Sequence, residues 1–162
     1  MSILTDISEN LQRGKAKIVK ELVQQAIDEG IPVQQILDEG LLSGMGVILH
    51  DIGKNLVKMM MEGKGLEVVD LGTDVAPETY VQTAVEQGCQ IICCSALLTT
   101  TMGMMEEVVK KAEEAGIRDK VKIMVGGAPV TEAFCEQIGA DKYPADAASA
   151  ADAAVALCRA SA

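Results

Sequence analysis

Two short apolar runs, Gln90–Leu97 and Val121–Val125, constrain this chain more than any other feature, because each leads into a segment with helical spacing. Both read as buried strands, being brief and rich in Ile, Val and Cys. The first precedes a helix over Met104–Ala115 that Gly116 ends, and the second precedes a helix over Val130–Ile138. The alternation extends both ways. It predicts a strand at Leu66–Leu71, a helix at Pro77–Gln87, a short last strand at Lys142-Tyr143 and an alanine-rich closing helix at Ala147–Ala160. Strands alternating with helices imply an α/β fold, a parallel sheet with helices on both faces. Ligands of such sheets bind outside the carboxyl ends of the strands, and Ser95 and Gly126-Gly127 fall at two of those ends.

The N-terminal part is helical by pattern. Ile7, Leu11, Ile18, Leu22, Val23 and Ile27 keep close to helical period across Asp6–Asp28, and Gly30-Ile31-Pro32 ends the run. A second helix starts near Pro32 and includes Ile36 and Leu37. Two readings of the next segment stay open. Met45–Leu49 could be a stunted first strand that delivers His50 at its carboxyl end. Alternatively Val33, Leu37, Leu41, Met45, Ile48, Ile52, Leu56 and Met59 recur at three- and four-residue steps, as one long helix would require. Gly40, Gly44, Gly46 and Gly53 each cost a helix about 1 kcal/mol relative to alanine, which tips the balance slightly toward the strand.

The residues that speak about chemistry are His50 in His50-Asp51-Ile52-Gly53-Lys54-Asn55, then Ser95-Ala96-Leu97, then Gly126-Gly127. His50 is the one histidine in the chain. A neutral imidazole can supply one axial position on a transition metal when a macrocycle supplies the rest. A serine at a strand end can hydrogen-bond a buried nitrogen heterocycle, and paired glycines let a bulky organic tail touch backbone. A lone histidine near a helix start is otherwise as often structural or merely exposed. The ordered set of three favours a single ligand.

These residues, His50-x-x-Gly53, Ser95-x-Leu97 and Gly126-Gly127, resemble the signature of methionine-synthase-type cobalamin-binding domains. The strings Asp70-Leu71-Gly72-Thr73-Asp74-Val75, Ser95–Met102 and Met124–Thr131 narrow the resemblance to the small corrinoid proteins of methylamine and methoxyl-compound methyltransferase systems. The similarity runs from the N-terminal helices to about Ala153. It implies a flavodoxin/Rossmann-like domain over residues 45–162, preceded by a truncated N-terminal helical segment over 1–44. It also implies a cobalamin cofactor, with His50 as the lower axial ligand to cobalt and the nucleotide tail between Ser95 and Gly126-Gly127. Asp51, Ile52, Gly53, Leu97, Thr99 and Tyr143 would be further cofactor contacts. The role implied is carriage without catalysis: a methyl group taken from a substrate-specific methyltransferase and passed to a second, acceptor-specific one, with no catalytic residue in this chain.

Two departures from the family pattern stand out. Ile48 occupies the position where the family has an aspartate two residues before the histidine. Such a carboxylate fixes the imidazole tautomer, and its loss typically costs about 10- to 100-fold in affinity or activity. The second departure is a gap. Gly44–Leu49 runs directly into the histidine motif, where the resemblance implies a further pair of capping helices and a complete first strand lying between the second and third. The hole has to be filled by Met45–Leu49 or by a second copy, which points to a homodimer through domain swapping.

A net charge of −10, with lysines and arginines scattered, argues against nucleic acid or an anionic membrane as partner. No apolar stretch is long enough to span a bilayer and Met1–Asp6 does not read as a signal peptide, so the expected location is the cytoplasm. Cys89, Cys93, Cys94, Cys135 and Cys158 form no Cys-x-x-Cys pair and are expected as buried free thiols. With two tyrosines, one phenylalanine and no tryptophan, the core must be aliphatic, and Met59-Met60-Met61 reads as adaptable packing. Two other functions remain open: a degenerate relative that keeps the fold as a structural or interaction module, and a stand-alone flavodoxin-like enzyme or nucleotide binder. The latter would lack a phosphate-binding glycine loop and a second histidine.

Overall fold

The computed structural model describes residues 2–160, which fall into two compact units divided between Ile52 and Gly53. The first is all-helical. Helix α1 (Ile3–Gln12) starts at Ser2, whose hydroxyl accepts from the Thr5 N–H, and α2 (Ala16–Asp28) follows. The sequence pattern suggested one helix across these two. The chain breaks instead at Gly14, which takes the left-handed φ of +66° that side chains disfavour, and α2 folds back on α1. Leu4, Ile7, Val19, Ala26 and Ile36 are buried between them. A short turn, α3 (Val33–Gln35), continues as a π-helical segment over Ile36–Leu42.

Helix α4 spans Ser43–Gly63 without a break. This corrects the stunted first strand favoured above, and His50 therefore stands within a helix and not at the end of a strand. The three- and four-residue apolar steps prevail over the glycines, whose propensity cost is small beside tertiary packing. One of them gains by its smallness: a Cβ on Gly44 would lie 2.9 Å from the Ser8 carbonyl oxygen, so the missing side chain lets α4 approach α1. The other end of α4 buries Met61, with Val57 and Met60, in the second unit.

That second unit is built on two parallel strands, β1 (Ile91–Ser95) and β2 (Lys122–Gly126), paired in register from Ile91 with Lys122 to Ser95 with Gly126. Helices α5 (Pro77–Gln87), α6 (Gly103–Glu114) and α7 (Glu132–Ile138) close one core with Ile92, Cys94, Ile123 and Val125. Helix α8 (Ala147–Ala160) and the end of α4 close the other, around Met124 and Ala151. The α/β architecture with helices on both faces is as the sequence implied, but the sheet is smaller.

Leu66–Leu71 forms no strand, although Leu66 and Val68 still pack beside Met61. A strand persists only beside a ladder neighbour, and the first strand that would lie between this segment and β1 is absent. Lys142-Tyr143 is reduced to one bridge, Lys142 with Met124. Here the Asp141 carboxylate takes a ladder position, accepting the Ile123 N–H at 2.8 Å and pairing with Arg118 at 2.9 Å. Cys94 and Cys135 are buried free thiols as expected, whereas Cys93, on the opposite face of β1 from Cys94, is exposed. No helix among the described residues is long and apolar enough to cross a membrane.

Candidate functional site

The carboxyl ends of β1 and β2 bring together residues far apart in sequence. Ser95 is paired with Gly126 at the last rung, and the Ala96 N–H donates to the Gly126 carbonyl at 3.0 Å. Gly127 follows with φ +119°, and a Cβ placed there would fall 1.9 Å from the Ala96 carbonyl oxygen. Its own carbonyl accepts the Val130 N–H at 3.1 Å, which turns the chain toward α7. Together these bonds hold the two strand ends in contact with no side chain at the turn.

Tyr143 lies near the same place, on the side of β2 opposite to β1. The Val125 N–H donates to the Lys142 carbonyl at 3.0 Å, and the Pro144 carbonyl lies 4.0 Å from the Cβ position of Gly126. Tyr143, between these two residues, is half-buried against the β1–α6 core. Leu97 and Thr99 lie just beyond β1, with Thr99 opening a single 3-10 turn, Thr99–Thr101. Ser95, Gly127 and Thr99 are exposed. The rim thus offers a hydroxyl, a bare glycine backbone and a half-buried aromatic ring.

His50, Asp51 and Ile52 stand on α4 in the first unit, and Gly53 opens the second. His50 is half-buried, and the other three are exposed. The side chain of Ile48, where the family aspartate would stand, lies outside the described residues.

Sequence reasoning passed over one organised cluster in the second unit. Lys54 and Lys58, one turn apart on α4, converge on Asp70 at 2.9 and 3.4 Å. The Gly72 N–H donates to the same carboxylate at 2.9 Å. The Lys54 hydrogen bond, then that from Gly72, holds the Asp70 carboxyl well below the usual range, at about 2. The i,i+4 lysine pair and the Asp70-Leu71-Gly72 turn were both visible in the sequence. Their meeting was not, because it joins a helix to an irregular loop.

Comparison with known proteins matches residues 40–156 to a B12 binding domain model, and residues 3–71 to a second model also described as a B12 binding domain. The chain belongs to the B12-binding domain family. Cobalamin is the cofactor of such domains. A dimethylamine corrinoid protein of Methanosarcina mazei is 36% identical over 158 residues, which cover 91% of this chain and 95% of that protein. A corrinoid protein of Desulfitobacterium hafniense is 30% identical over 211 aligned positions, covering 97% of this B12-binding chain and 96% of that relative. Since this chain has 162 residues, about fifty of the relative's residues stand opposite no residue here, within the alignment. Among solved structures, a chain of the methanol:cobalamin methyltransferase complex of Methanosarcina barkeri superposes with a TM-score of 0.64 at 26% identity, covering 97% of this chain and 80% of that one.

The strand-end rim suits one part of a B12 ligand. Gly127 is exposed and bears no side chain, so a nucleotide tail docking at the strand ends would meet main chain there. Among the described residues, no group of three or more His, Cys, Asp or Glu could hold a bare metal ion.

Proposed function

We propose that this chain is a cobalamin-binding methyl carrier that serves two methyltransferases, one specific for the methyl donor and one for the acceptor. The observation that carries the reading is the joined end of β1 and β2, where exposed Ser95 and Gly127 flank half-buried Gly126 in a side-chain-poor rim, at the position where open parallel sheets take their ligands. Residues 45–162 form the cofactor domain in this reading, and residues 1–44 the helical segment before it.

When bound, the corrinoid supplies a cobalt centre able to accept and yield a methyl group, and the protein supplies binding and orientation. Ser95 holds the tail's heterocycle by a hydrogen bond from its hydroxyl. Gly126 and Gly127 present backbone to the tail, with Leu97, Thr99 and Tyr143 lining its course. His50 donates its imidazole to the metal, and Asp51, Ile52 and Gly53 flank it on α4. No residue of this chain performs a bond-breaking step, so the carrier is not itself an enzyme. Similarity to a chain of a methyltransferase complex supports partners of that class. The cytoplasm, where such partners would be met, is the compartment this reading requires.

The test is direct. The protein is mixed with hydroxocobalamin, desalted, and its visible spectrum compared with that of His50→Ala. Near-stoichiometric retained colour supports the carrier, and a band position that changes in His50→Ala supports ligation of the metal by His50. Retained colour with identical spectra removes His50 from the metal while leaving the tail site. Absence of retained colour overturns the carrier.

A further inference from the structure

On the edge of β2 away from β1, Ile123 and Val125 present main-chain groups to the segment that carries Tyr143. The Val125 N–H donates to the Lys142 carbonyl at 3.0 Å, and the Ile123 carbonyl accepts the Asp141 N–H at 2.8 Å and the Lys142 N–H at 3.3 Å. In a parallel ladder the next donor would come from residue 144. That residue is Pro144, which has no N–H to give, so the ladder stops. At the other end the Ile123 N–H meets a side chain in place of main chain, the Asp141 carboxylate at 2.8 Å.

Arg118 fixes that side chain. Its guanidinium lies 2.9 Å from the oxygen that accepts the Ile123 N–H, and it donates as well to the Gly139 carbonyl at 2.6 Å and the Val121 carbonyl at 3.2 Å. One rigid planar group thus joins the approach to β2, the end of α7 and the residue before Lys142-Tyr143. The two side chains are 21% and 19% exposed, so the pair is more sheltered from salt than the ion pairs along α6.

We infer that Arg118 and Asp141 are positioning residues for the corrinoid's nucleotide tail, acting through Tyr143. Lys142 with Met124 is the one bridge of this segment among the described residues, and a single bridge does not fix a segment that proline cuts short. The carboxylate and the guanidinium supply the missing hold, two residues ahead of the tyrosine. Tyr143 is thereby kept against the β1–α6 core, near the strand ends. The inference rests on the tail site proposed above and adds that its aromatic wall is supported from behind by an ion pair outside the site. Side chains that orient a binding residue in this way typically matter about 10- to 100-fold to affinity without touching the ligand.

Spectral titration with hydroxocobalamin tests it on the full chain, in the wild type, Arg118→Met, Tyr143→Ala and the double variant. Arg118→Met is expected to weaken binding about 10-fold and to cost nothing further once Tyr143 is alanine, since its effect passes through the ring. The same loss with and without Tyr143, as a merely structural role would give, overturns the proposal, and so does an Arg118→Met affinity equal to the wild type's. A wild type that binds no hydroxocobalamin overturns the carrier and the positioning role together. Amide hydrogen exchange without cobalamin reads the clamp independently. In Arg118→Met and in the milder Asp141→Asn the Val125 N–H should exchange at least about 10-fold faster, while the Ala96 N–H, which donates to Gly126 on the other side of β2, is unchanged. Wild-type protection of Val125 in both variants, or an equal loss at Ala96, overturns it.

Discussion

The carbonyl oxygen of Ala96 occupies the space that a side chain on Gly127 would need, 1.9 Å from the Cβ position. The neighbour is backbone at the end of a strand, so it cannot swing aside. Gly127→Ala would meet this clash and a φ of +119° together. A loss of about 3 kcal/mol in urea unfolding is expected, with Ala128→Gly, at the exposed next position, as a mild reference. A loss below about 1 kcal/mol would mean that the turn can relax and that the close approach is not required.

The Asp70 carboxyl gives stability a pH dependence with a defined sign. Its folded pKa of about 2 lies below the ordinary 3.8, so its contribution is full above the ordinary value and disappears as pH falls toward the folded one. Because its side chain and those of Lys54 and Lys58 are partly open to solvent, the contribution is about 1 kcal/mol after screening. Asp70→Asn should lose that amount at neutral pH and show a flatter stability profile between pH 4 and 2 than the wild type. Identical profiles would show that the lysine contacts contribute nothing to folding.

Cys94 is buried in the β1–α6 core, and burial pushes its thiol up to about 12. Almost no thiolate exists at pH 8, and alkylation has to await local opening. Peptide mapping after brief iodoacetamide treatment should find Cys94 unmodified in the folded protein and modified in denaturant. Fast native labelling would contradict the packing of Ile92, Cys94 and Val108.

Thr131 caps α7, its hydroxyl accepting the Phe134 N–H at 3.2 Å. This short helix follows directly from the glycine turn, so its start fixes where Gly126 and Gly127 lead. Thr131→Ala should cost about 1 kcal/mol, measured by thermal melting, and Thr131→Ser should recover most of it. Equal losses in both variants would assign the effect to the methyl group and not to the cap.

How much was legible in the sequence depended on how local the deciding forces were. Helices α5, α6 and α8 and the two strands fall where spacing, Pro77 and Gly116 placed them, since each depends on residues within its own segment. The pairing of Ser95 with Gly126 was legible for a different reason: parallel sheets put strand ends together as a rule, whatever the side chains. The errors came from non-local decisions. Leu66–Leu71 has strand composition but no ladder neighbour, and composition cannot report a missing neighbour. Met45–Leu49 was given too much weight for its glycines and too little for the apolar steps running on through Ile52, Leu56 and Met59. The break at Gly14 was hidden by a periodicity that happens to continue across it. Asp141 was missed because a carboxylate replacing a ladder bond has no pattern of its own.

Among the described residues, β1 has a ladder partner on one side alone. A protein engineer would look there first for a place to add an extended peptide fused to the chain. The same edge is a point of vulnerability in the test tube. Main-chain groups along such a border template the addition of further strands, so handling conditions that bring chains together in partly opened form would favour fibrous precipitate over loose amorphous aggregate.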